Sequence, residues 1–173
     1  IEQGYNIIFG TTFGYIDAMA EMAEEYPDVI FLHCSGYLSN DSNFGNYFGK
    51  MYQPRYLSGL AAGAMTESNK IGYVAAFPIP EVIRGINAFA TGVKEVNPDA
   101  TVEVVWTFTW FGPEEETQAA NALIETGVDV LAQHQDSPST GVVAEANGAK
   151  WISYNTAYGQ EAAPGAFVTA PVW

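Results

Sequence analysis

The chain has 173 residues, 48% hydrophobic and 14% aromatic, enough apolar material to bury a core in one or two small domains. Six basic residues stand against twenty acidic ones, a formal charge of −14, and no Lys/Arg cluster occurs. That argues against nucleic acid or an anionic membrane as partner, since phosphate neutralisation needs a basic patch; the acidity itself fits solubility or a salty habitat. Cys34 is the single cysteine, which excludes an intramolecular disulfide and a thiolate metal cluster. No apolar run approaches the roughly 18 residues of a membrane span, and no basic n-region with an apolar h-region opens the chain.

Strand-like and helix-like patterns alternate from end to end. Tyr5 to Gly10 is a short apolar run, and Ile1-Glu2-Gln3-Gly4 before it leads into this strand so directly that the start reads as the middle of something longer. Residues 15–26 carry apolar positions at helical spacing, and Pro27-Asp28 breaks that helix before a strand at 29–34. A polar, Gly/Asn-rich loop follows over 36–49. A helix over 52–65 is rich in small residues suited to close packing. Residues 66–70 form a boundary after which the pattern restarts. A strand at 71–76 precedes a helix begun by Pro80, where a missing N–H costs little. Asn97-Pro98-Asp99 ends that helix before a strand at 101–107. Pro113 opens the next helix, with Glu114, Glu115 and Glu116 in its first turn and Gly127 as its stop. A strand at 128–132, a shorter helix at 137–147, a strand at 151–154 and a last strand at 167–173 complete the chain.

Short strands alternating with helices predict βαβ units and a parallel sheet, in which ligands bind outside the carboxyl ends of the strands. The residues just past each strand are therefore the candidates: Thr11, Thr12 and Phe13; Phe77, Pro78 and Ile79; Trp110 and Phe111; Gln133, His134, Gln135 and Asp136; Asn155 and Thr156. Trp106 and Phe108 fit a core, whereas Trp110 and Phe111 stand beyond the sheet and ahead of Pro113. Rings with a few polar groups suit a flat ligand.

Gly10-Thr11-Thr12-Phe13-Gly14 lacks the spacing of a dinucleotide fingerprint or a P-loop and reads as a tight strand-to-helix turn. No G-x-S-x-G elbow occurs. His33 reads as a core histidine; His134 stands beside Asp136 at a strand end, with no metal-ligand partners at suitable spacing. The three glutamates read as a solvated first turn that opposes the helix dipole. Asp136 suits either bidentate ligand contact or helix capping, the latter shared with Ser137.

Gly10 to Tyr15, Tyr26-Pro27-Asp28, Tyr73 to Phe89 (YVAAFPIPEVIRGINAF), Val96 to Ala100 and Gln133-His134-Gln135-Asp136-Ser137-Pro138 together resemble the basic membrane protein family of ABC-transporter substrate-binding lipoproteins, the purine nucleoside receptor A-like group. The resemblance covers essentially the whole chain. It implies an α/β fold of the type I periplasmic-binding-protein kind, with parallel sheets in two Rossmann-like lobes around a hinge and a solute held between them. Carried over by motif, Phe13, Phe77 and Trp110 are the stacking groups, and Asp136 and Asn155 the polar contacts. No catalytic residue, metal or cofactor is implied. The implied partners are a purine nucleoside, a nucleobase or a related flat heterocycle, and an ABC permease with its ATPase. The membrane is reached only through a lipid anchor outside this sequence, with the protein periplasmic or extracytoplasmic. Three departures stand out. Gly112 and Ala157 occupy positions where the family commonly has aspartate, the second of which tilts the ligand toward a free base. The chain also matches an internal piece of the family pattern, with residues 1–66 a partial first lobe and crossover helix, 67–160 the second lobe, and 161–173 a strand returning toward the hinge. Two alternatives compete with the solute receptor: an α/β enzyme acting on nucleosides or sugars through His134 and Asp136, and a sensory receptor using the same cleft.

Overall fold

The computed structural model describes residues 1–156 and 158–172, so the expectation attached to Ala157 and the end of the last strand at Trp173 lie outside it. The chain forms two compact units, 1–49 and 50–173. The sequence placed the division near 66; the helix over 52–65 instead belongs to the second unit, where it packs lengthwise on the helix that begins at Pro80.

In the first unit, β1 (Ile7–Gly10), β2 (Ile30–Cys34) and β3 (Phe44–Tyr47) form a parallel sheet in that order. A 3-10 turn, Phe13–Tyr15, leads from β1 into α1 (Ile16–Glu25), which buries Ile16, Met19 and Ala23 against Phe31 and Phe44. The strand β3 falls inside the segment expected to be a loop. Its polar flank has a specific job: the Asn40 side-chain oxygen accepts from the amides of Ser42, Asn43 and Phe44. Buried Asn43 places its Nδ2 2.9 to 3.1 Å from the carbonyls of Ala23, Tyr26 and Val29. Polar residues that satisfy otherwise orphaned backbone groups hold this strand where apolar alternation is missing.

The second unit is a five-stranded, wholly parallel sheet in the order β5-β4-β6-β7-β8, built from β4 (Lys70–Ala75), β5 (Thr101–Trp106), β6 (Val130–His134), β7 (Lys150–Ile152) and β8 (Phe167–Thr169). The helices are α2 (Tyr52–Met65), α3 (Pro80–Val96), α4 (Pro113–Glu125), α5 (Ser139–Ala146) and the short α6 (Gly159–Ala162). Pro80 and Pro113 occupy first-turn positions as expected. Alternation along the strands sorts side chains between two helical layers. Ile71, Tyr73 and Ala75 with Val130 and Ala132 face Val82, Phe89 and Val93 of α3, whereas Val74 and Leu131 face Ala119, Ala120 and Leu123 of α4 and Val143 of α5. The last strand pairs with β7 and so joins this sheet.

Close approach of α2 and α3 rests on two glycines in reciprocal contact. A methyl group on Gly59 would overlap the Phe89 carbonyl, and one on Gly92 would overlap the Tyr56 carbonyl. Neither backbone can yield without separating the helices. Gly92→Ala is therefore expected to lower stability by about 2 to 3 kcal/mol, as overpacking does. Gly14→Ala, where no atom lies within 4 Å, should stay within about 0.5 kcal/mol of the parent. Urea unfolding of the three proteins measures the difference.

Candidate functional site

Ala75 of β4 pairs with Trp106 of β5 on one side and His134 of β6 on the other, so these three adjacent strands end level. Backbone bonds keep their exits together. The amides of Thr107 and Phe108 donate to the carbonyls of Ala75 and Ala76, and that of Asp136 donates to Trp110, each at 2.9 Å. Phe77 and Trp110 consequently meet, with ring centroids 5.5 Å apart and planes at 52°. Phe108 stands edge-on to Phe77 at 6.4 Å and 76°. Trp110, partly buried against the α3-side core, lies 6.2 Å from the His134 ring, which lies 4.4 Å from Tyr154. A chain of five rings thus runs along the carboxyl edge of the sheet, from Phe108, 64% exposed, through Phe77, Trp110 and buried His134 to Tyr154.

Of the residues singled out from sequence, Phe77, Trp110 and Asp136 come together here. Asn155 lies beyond the neighbouring strand β7, at φ +50°, with a buried Oδ1 that has no hydrogen-bond partner among the described residues. Asp136 is exposed at the rim, and partial loss of solvent raises its carboxyl pKa. It does not cap α5; Ser137 Oγ, 3.3 Å from the Ser139 amide, is the acceptor there. Phe13 lies in the first unit, with its ring 6.2 Å from Tyr37. The carbonyl of Thr12 before it is 2.8 Å from His33 Nε2, and His33 is buried, as a core histidine should be.

Gln133 and His134 are corrected from strand-following to strand residues, because β6 runs two residues further than the apolar run suggests. His134 is 1% exposed, with Nε2 3.1 Å from Glu81 Oε2. Burial lowers its pKa, the Glu81 bond opposes that, and the Arg55 charge adds to it, so the neutral imidazole is favoured. No hydrogen bond or ion pair among the described residues joins it to Asp136, and an acid/base couple between them gains no support. Arg55 of α2, also buried, donates from Nη1 to the Gln133 carbonyl at 3.0 Å and stands 5.7 Å and 4.8 Å from the ring centres of Tyr73 and Tyr154. A lone arginine in a helix otherwise rich in Gly and Ala was the available signal. Among the described residues no group of three or more His, Cys, Asp or Glu is placed to hold a metal ion.

Two further residues escaped the sequence reading. Phe108, read as core, is exposed and sits at φ +57°, a conformation that costs an L-residue with a side chain about 1 to 2 kcal/mol. Glu116, read as part of a solvated first turn, is fully buried. Its Oε1 accepts the Gly112 amide at 3.2 Å, and its Oε2 accepts the Ser137 hydroxyl at 2.6 Å, so one carboxylate ties the Trp110 loop to the Asp136 loop. On the same side Gln133 Nε2 donates to the carbonyls of Gln135 and Ser137, and its Oε1 accepts Trp151 Nε1 at 2.9 Å. A cavity of about 150 Å³ opens beside these loops, lined by Gln135, Asp136, Ser137, Ser153, Tyr154 and Tyr158 among others.

The family profile described as "ABC transporter substrate-binding protein PnrA-like" matches residues 1–173. The chain belongs to this family. Its relatives include a putative ABC transporter glucose-binding protein of Haloferax volcanii, 52% identical over 97% of this chain, and a purine-binding protein of Brucella abortus, 43% identical over 85%. The chain spans 42% of the length of each. An ABC transporter solute-binding protein from Aeropyrum pernix K1 superposes with a TM-score of 0.75 at 21% identity, over 90% of this chain and 47% of its own. A transcriptional activator of the comK gene from Bacillus halodurans does so with 0.81 at 23%, over 99% and 59%. These likenesses establish the type I periplasmic-binding-protein-like fold of this PnrA-like chain, with a parallel α/β sheet in each unit.

Burial raises the Glu116 pKa, against the bonds from Ser137 and Gly112 that lower it, and Asp136 nearby raises it further. The folded state therefore binds this proton more readily than the unfolded chain, and stability falls as pH rises through the window between the ordinary glutamate pKa and the raised one. Glu116→Gln keeps an acceptor for Gly112 and removes the charge. Its stability relative to the parent should increase as pH rises through that window and level off above it. Urea midpoints of both proteins from pH 4 to 8 check this, and a constant difference counts against it.

Proposed function

We propose that this PnrA-like chain is part of the substrate-binding component of an ABC importer that captures a purine nucleoside, a nucleobase or a similar flat heterocycle. Phe77 and Trp110 are the stacking rings, Asp136 and Asn155 the polar contacts, and Phe13 the stacking candidate of the first unit. The observation that carries this reading is the Phe77–Trp110 pair, two tilted rings at the mouth of strands whose exit loops also present Asp136. The purine-binding relative from Brucella abortus and a nucleoside-binding relative from Lactococcus lactis, 27% identical, support the ligand class. Family membership supports an extracytoplasmic, lipid-anchored protein that delivers its solute to a permease and its ATPase. Among the described residues no helix is long and apolar enough to cross a membrane.

The name of the Haloferax volcanii relative favours a second reading, glucose, which also stacks its apolar face on indoles. Calorimetry of the full-length protein with adenosine, guanosine, inosine, adenine, hypoxanthine and D-glucose separates the two. Purine binding without glucose binding is expected. Trp110→Ala should weaken it about tenfold or more, because the loss combines stacking of about 0.5 to 1.5 kcal/mol with buried apolar area. Glucose binding with no purine binding, or an unchanged purine affinity in the variant, would sink the stacking assignment.

A further inference from the structure

We propose that Phe108 is a third ligand-contacting ring, which biases the site toward flat ring systems and against hexoses; this rests on the stacking reading above. Three observations converge on it. Its backbone lies in the left-handed region, uncommon for a bulky residue. Its side chain is 64% exposed and forms no part of the buried core clusters. Its ring nevertheless stands edge-on to Phe77, the partner of Trp110.

The conformation is imposed from both sides. The amide of Phe108 donates to Ala76 and that of Thr107 to Ala75. The Thr107 hydroxyl, in contact with the Ala75 and Thr109 carbonyls, also accepts the side-chain amide of Gln135. Asparagine or glycine would meet these demands with less strain. A phenyl group held there, giving little packing in return, is explained by what it offers outside the fold, since strain that the surroundings over-determine concentrates at ligand sites. A flat heterocycle against Phe77 would present its rim to Phe108 and gain an aromatic contact. A hexose would present hydroxyls to a ring that carries no hydrogen-bond acceptor and lose their hydration.

The test uses the full-length protein with Phe108→Asn, Phe108→Gly and Phe108→Tyr, thermal melts, and calorimetry against adenosine, adenine and D-glucose. Phe108→Asn should melt at or above the parent temperature while the dissociation constant of the tighter purine probe rises about 5- to 10-fold, and the purine-to-glucose preference narrows. Phe108→Gly should show the same loss of affinity, and Phe108→Tyr should stay within about 2-fold of the parent. Unchanged purine affinity in Phe108→Asn, or a marked drop in melting temperature in both ring-removing variants, overturns the proposal. A parent protein that binds neither purine overturns the stacking reading and this inference with it, an outcome distinct from purine binding that ignores residue 108.

Discussion

Parallel pairing of β4 with both β5 and β6 sets a single height at which three chain segments leave the sheet, and the rest of the candidate site depends on that register. The register is held by burial on both faces. Ile71, Tyr73 and Ala75 must face α3, while Gly72 and Val74 must face α4, where Gly72 has room for nothing larger beside Leu123 and Leu131. A slip of one residue would send each of these to the opposite layer. It would also take Trp106 and His134 out of line with Ala75, and Phe77 would lose Trp110. The core therefore determines the ring pair without contributing a residue to it.

Where the strands end, polar groups lose their ladder partners, and the chain meets this with side chains of α2, β6 and α4. Arg55 reaches the Gln133 carbonyl from α2, Gln133 itself reaches the carbonyls of Gln135 and Ser137, and Glu116 receives Gly112 and Ser137. Burying a guanidinium and a carboxylate costs free energy that such bonds offset only in part. What they contribute is location: each bond has one geometry, and together they fix the end of β6 and the loops after β5 and β6.

Much of the fold is legible in the sequence because local chemistry and tertiary role agree. Tyr52–Met65 reads as a helix from its small residues, and Pro80 and Pro113 mark starts that packing leaves unaltered. The misreadings occur where polar residues serve the interior. Phe44–Tyr47 has too few apolar positions to look like a strand, and its anchor is the Asn40 and Asn43 amide network. Gln133 and His134 look like loop and are buried strand. The division after Gly49 rather than near Thr66 depends on Gly59 and Gly92 allowing two helices to touch, a contact between segments more than thirty residues apart that no local pattern records. Phe77, Trp110 and Asp136 are legible because strand direction alone tells which residues leave a parallel sheet at its carboxyl edge. Phe108 and Glu116 are not, since backbone sign and burial of a carboxylate are properties of the assembled sheet.

The two edges of this sheet treat their carboxylates differently. At the amino edge Asp129 leads into β6. Burial alone would raise its pKa, but the Thr66 hydroxyl and the amides of Glu67 and Ser68 bond its carboxylate at 2.6 to 2.7 Å and the net shift is downward. That is a carboxylate completed by its own fold. At the carboxyl edge Asp136 loses solvent and its pKa rises, with burial as the cause. Beside it Gln135 and Asn155 each keep a buried oxygen with no hydrogen-bond partner among the described residues, and Phe108 holds an unfavourable φ. The amino end of β6 thus carries a carboxylate met by its own fold, and the carboxyl edge carries buried oxygens that the described residues leave open. Groups already satisfied internally have nothing left to offer a ligand, so the open ones at the carboxyl edge are those available to the proposed site.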